Sequence, residues 1–128
     1  MNELQQNNQN GTVNIADDRV LAVGFLFLSD EEKNTLQKAI EKYGDRAQII
    51  KAIEEFSELN HILCRYLNNR FCLEDLTSEL VDASIMLKQL FDIISMNFGK
   101  HEVEGYVKEW QEYKIKRLAE RLNDGTNP

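Results

Sequence analysis

The sequence is poor in the residues that make turns, cross-links and metal fingers. One proline and six glycines occur in 128 residues, too few for a chain of many short strands joined by tight turns. Cys64 and Cys72 are the only cysteines, and His61 and His101 the only histidines. Without a paired metal-site spacing they make no structural zinc site, and two isolated thiols fit a reduced protein of the cytoplasm. No run of 18 apolar residues exists, so no membrane-spanning helix is expected. The short apolar segment Val20–Leu28 follows a stretch without net positive charge, a poor match to a signal peptide. Bases are the minority, 15 Lys and Arg against 22 Asp and Glu, for a net charge of −7. That balance excludes nucleic acid and anionic membranes as partners, since both call for a surplus of cations. The glycines at 11, 24, 44, 99, 105 and 125 are scattered, so no phosphate-cradling G-x-x-x-x-G-K-[ST] loop can form.

What is present is helical. Residues 1–18 carry eight Asn or Gln and have little to bury, so a disordered tail is expected there, followed by a short apolar arm to residue 28. Over 19–28 the run is too short for periodicity to separate strand, arm and helix. Ser29 and Glu32 have the spacing of a capping box; Leu36, Ala39, Ile40 and Tyr43 follow at helical intervals, and Gly44 stops the helix. Asp45 with Gln48 opens a second helix to about Asn68, with Ile49, Ile53, Phe56, Leu63 and Leu67 sharing a face. A third covers about Leu73–Asn97 through Leu76, Leu80, Ala83, Leu87, Leu90 and Ile94, and a fourth about His101–Leu122. The fold class expected is all-α: one domain over 29–123, an antiparallel bundle of four main helices, with 124–128 as a tail.

Certain acids interrupt the apolar pattern. At about 100° per residue, Glu55 falls in line with Leu59, Ile62 and Tyr66, and Glu58 borders that stripe one turn on. On the third helix Glu79 lines up with Ala83, Met86 and Leu90, and Asp82 with Met86 and Ile93. Isolated buried carboxylates are costly, so four of them need cations. Within each helix the two acids stand three residues apart, about 5–6 Å between Cβ atoms. Twenty residues separate Glu58 from Glu79, an interval that a helical hairpin spans to bring the pairs together. An oxygen-only site suits Mg²⁺ or Mn²⁺.

These residues resemble a family pattern. Glu54-Glu55-Phe56-Ser57-Glu58 followed by Glu79-Leu80-Val81-Asp82 is similar to the E-E-x-x-E and E-x-x-D motifs of the MazG-like all-α nucleoside triphosphate pyrophosphohydrolases. That superfamily includes dimeric dUTPases and dCTP pyrophosphatases. Tyr43-Gly44, Gln48, Leu59 and Lys114-Ile115-x-Arg117-Leu118 extend the likeness over roughly residues 31–122. The resemblance implies a homodimer or homotetramer and Mg²⁺-dependent cleavage of a nucleoside triphosphate to monophosphate and pyrophosphate. By motif position it makes Glu55, Glu58, Glu79 and Asp82 metal ligands, and Glu54 an outer acid or the base for the attacking water.

Candidate phosphate-binding cations lie on the fourth helix, where the stripe Val103, Val107, Trp110 continues as Lys114, Arg117 and Arg121; basic residues near a helix C-terminus also serve its dipole. Tyr106, Trp110 and Tyr113 are candidates either to stack on a base or to fill the core. Two other classes stand beside the hydrolase. Glu58 and His61 spell E-x-x-H, half of the di-iron pattern of ferritin-like bundles, but the second half is missing, as Glu79 is followed by Asp82. A non-catalytic bundle that binds nucleotides or a protein partner is the third reading.

Overall fold

The computed structural model describes residues 21–22 and 25–125. The tail expected over 1–18 and the last three residues lie outside them. Of the ambiguous segment at 19–28, the described part is extended. Strands β1 (Leu21–Ala22) and β2 (Phe25–Leu26) pair antiparallel, Leu21 opposite Leu26 and Ala22 opposite Phe25, and β2 runs beside the third helix.

Four helices follow: α1 (Asp30–Tyr43), α2 (Asp45–Leu67), α3 (Leu73–Phe98) and α4 (Lys100–Asp124). The capping box forms as the spacing predicts, with Ser29 Oγ accepting from the Glu32 amide at 3.2 Å and Glu32 Oε2 accepting from the Ser29 amide at 2.7 Å. Single glycines join α1 to α2 and α3 to α4. Gly44 (φ +83°) and Gly99 (φ +103°) sit where side chains are strained, and each ends one helix and opens the next. Gly44 therefore takes the N-cap position expected of Asp45. The Asp45 carboxylate instead accepts from Asn97 Nδ2 at 2.8 Å, tying the start of α2 to the end of α3. The start of one helix thus lies beside the end of the other, so α2 and α3 run antiparallel, and theirs is the most extensive contact between helices.

The face of α2 that packs inward differs from the one expected. Gln48, Ala52, Glu55 and Ile62 are buried, whereas Ile49, Ile53, Leu63 and Leu67 are exposed, Ile53 to 60% and Leu67 to 79%. On α3 the buried residues are Ala83, Met86, Gln89 and Ile93, with Leu80 and Ile94 exposed. Helix α2 has two apolar faces, and hydropathy cannot choose between them. Each buried stripe carries an alanine, whose short side chain lets the paired backbones come close. The stripes that meet are the ones carrying Glu55 and Glu79. Helix α1 packs on both α2 and α3, and the buried Gln89 donates across to the Leu36 carbonyl at 3.3 Å.

Helix α4 does not close a four-walled bundle. Among the described elements it touches only α3, and Val103 is its sole buried residue. Tyr106, Trp110 and Tyr113 are all more than half exposed, so within one chain they are not core. Trp110 and Tyr113 meet edge to face at 5.7 Å, with Lys114 over the Trp110 ring and Arg117 over the Tyr113 ring. Among the described residues no helix is long and apolar enough to cross a membrane.

Candidate metal centre

The α2–α3 hairpin brings three of the predicted acids together. One carboxylate oxygen each from Glu55, Glu58 and Glu79 lie within 4.8 Å of one another. Glu55 is the deepest, 7% exposed, while Glu79 is half-buried and Glu58 exposed. Glu55 Oε1 accepts from Lys51 Nζ at 2.6 Å, one turn earlier on the same helix. Glu55 Oε2 and Glu79 Oε2 are both buried and have no hydrogen-bond partner among the described residues. Buried acceptors left unmade are expensive, and carboxylate oxygens more so than neutral ones.

The electrostatics follow from this crowding. The Glu58 carboxyl is pushed above its usual range, first by the charge of Glu55 beside it, then by a hydrogen bond with Glu55, by desolvation and by Glu79. Lys51 is held more firmly protonated than usual through its bonds to Glu55 and then Glu54. Among the described residues one half-exposed ammonium is thus ion-paired within the group of three converging acids, to Glu55. Two orphaned buried oxygens, an all-oxygen donor set and a deficit of positive charge suit a hard divalent cation.

The other predicted residues are placed differently. Asp82 is half-buried one turn along α3 from Glu79 and does not join the group of three. Glu54 points outward, its Oε2 3.3 Å from the same Lys51 ammonium. Lys114, Arg117 and Arg121 stand on the exposed half of α4 and line no part of the cleft beside the acids. That cleft measures ≈ 390 Å³ and contains two residues not expected as substrate contacts, His61 and Arg65, together with Glu58 and Glu79. The signal was present in the spacing: Glu58, His61 and Arg65 follow one another at i, i+3 and i+7 on α2, one helix face. Cys64 and Cys72 are free thiols at the surface, and the Cys72 sulfur accepts from the Asp75 amide at the start of α3.

Comparison with known proteins adds no relative: no family model, curated protein or solved structure matches this chain. The case for what the centre does therefore stands on its residues.

Proposed function

We propose that this chain is a Mg²⁺-dependent nucleoside triphosphate pyrophosphohydrolase of the cytoplasm, acting on a deoxynucleoside triphosphate in nucleotide-pool sanitation. The observation that carries the reading is the convergence of Glu55, Glu58 and Glu79, two of them with buried, unpartnered oxygens, in the frame of the E-E-x-x-E and E-x-x-D motifs.

Glu55, Glu58 and Glu79 would hold the ion, with Asp82 available one turn away. Bound Mg²⁺, or Mn²⁺ in its place, supplies charge neutralisation for the phosphates and a more acidic water. Glu54 is exposed to solvent and fixed by Lys51, a position from which a carboxylate can take the proton of the attacking water. As the new oxygen–phosphorus bond forms, the bridging phosphorus–oxygen bond breaks, leaving monophosphate and pyrophosphate. Lys51, held more firmly protonated than usual by its bonds to Glu55 and Glu54, orients the Glu54 carboxylate for that task.

The assembly proposed is a homodimer or homotetramer. Ile53, Leu67 and Trp110 are each more than half exposed, a surface that a second copy can cover. The basic end of α4 serves the triphosphate only if such a copy carries it over the acids. The exposed apolar faces also favour one second reading, an interaction module without turnover. The di-iron reading loses support, because α3 carries no histidine and His61 is not among the three converging groups.

The test is a panel of ribo- and deoxynucleoside triphosphates with Mg²⁺ or with EDTA, the products resolved by ion exchange. Mg²⁺-dependent monophosphate plus pyrophosphate is expected. No turnover by folded, metal-loaded protein refutes the hydrolase and leaves the interaction module.

A further inference from the structure

We propose that Arg65 and His61 form the polyphosphate-binding arm of the carboxylate centre, a subsite that accepts a diphosphate group only once a divalent cation has bound. The inference rests on the metal-dependent reading above and assigns the residues that meet the substrate's anionic tail.

Three observations converge. The ≈ 390 Å³ cleft is lined by His61 and Arg65 together with Glu58 and Glu79, so it opens directly beside the acids that would hold the ion. Its volume is in the range of ordinary ligand sites. Arg65 is oriented before any ligand arrives, because its Nε donates to the Arg70 carbonyl at 2.9 Å across the turn that leaves α2. Asp75 and Glu58 line the same cleft, yet among the described residues Arg65 pairs with neither. A guanidinium anchored through Nε keeps its remaining donors for a bidentate contact with two oxygens of an anion, a contact that a phosphate group offers.

Order of binding follows from the charges. Glu58, Asp75 and Glu79 outnumber the cations of the cleft, so the metal-free site repels a polyphosphate. A divalent ion on the acids reverses that sign, and Arg65 and His61 then face a ligand that the ion also attracts. Lys114 and Arg117 are instead stacked on Trp110 and Tyr113, outside this cleft.

The test is run on the full chain in two titrations. Mn²⁺ binding is read by electron paramagnetic resonance without phosphate, and pyrophosphate binding by calorimetry with Mg²⁺ in excess or with EDTA. Wild-type protein is expected to bind pyrophosphate only with Mg²⁺. Arg65→Gln should weaken it about tenfold or more, the weight of a charge-assisted hydrogen bond, with Mn²⁺ affinity unchanged. His61→Ala, at a side chain that makes no bond among the described residues, is the second variant and should weaken it in the same direction. Wild-type pyrophosphate affinity in both variants, or a loss carried instead by Lys114→Ala with Arg117→Ala, overturns the subsite alone. Equal affinity in EDTA overturns the ordered binding. A wild-type chain that holds no Mn²⁺ overturns the metal reading itself and the subsite with it.

Discussion

Replacing Glu79 by glutamine should make the metal-free protein more stable and the Mg²⁺-treated protein insensitive to its ion. Glu79 Oε2 is buried, no donor and no lysine among the described residues pairs with it, and its charge contributes to the repulsion felt by Glu58. The Gln side chain keeps the shape, removes the charge and adds an N–H₂ that can donate to a neighbouring carboxylate. Relieving one unsatisfied, half-buried acceptor is worth about 1–2 kcal/mol. For a chain of this size, about 4 °C of melting temperature corresponds to 1 kcal/mol, so Glu79→Gln should melt about 4–8 °C higher in EDTA. Wild-type protein gains in the opposite condition. An ion at a hundred times its dissociation constant contributes about 2.7 kcal/mol, or about 10 °C, and Glu79→Gln should forfeit most of that. Circular dichroism at the helix band, with EDTA or with millimolar Mg²⁺, reads both arms. A variant that melts lower than wild type in EDTA and still gains from Mg²⁺ refutes the argument that these acids are frustrated until an ion arrives.

The remaining predictions concern charge and assembly. Because the folded state holds the Glu58 carboxyl above its usual value of 4.5, folded protein keeps that proton longer than unfolded protein. Its contribution is therefore favourable at low pH and is withdrawn as pH rises above 4.5. In EDTA that part of the melting curve should fall across this window, and the Mg²⁺ response should grow over the same rise. Lys51→Met removes the one cation bonded to Glu55 among the described residues, so metal-free protein should melt lower while Mn²⁺ binds more tightly; weaker Mn²⁺ binding contradicts a competition between ammonium and metal. Ile53→Asp, at an exposed apolar position, should slow self-association in sedimentation velocity without loss of helix. A wild-type chain that sediments as a monomer removes the homo-oligomer.

Helix existence and ends were legible because local chemistry sets them. Ser29 and Glu32 close their reciprocal bonds whatever else the chain does, and Gly44 and Gly99 stop helices because they tolerate positive φ. Asp45 was misplaced as a cap for a nonlocal reason: Asn97, 52 positions away, takes its carboxylate. The acids were legible as a set, since Glu55 and Glu79 break apolar stripes. Asp82 shows the limit of spacing: a residue three positions on is equally half-buried and still does not join the group of three.

Period and composition by themselves determined an acidic all-α chain, the four helical segments, and the two helices that carry the paired carboxylates. These follow from φ preferences, capping bonds and a 3.6-residue repeat, all confined to a few neighbouring residues. Only the tertiary structure decided which of the two apolar faces of α2 turns inward, and that His61 and Arg65 open onto the acids while Lys114 and Arg117 do not. Each of those depends on how one helix lies against another. Hydropathy leaves that choice open, because Ile53 is as apolar as Ile62 and only packing buries one and not the other.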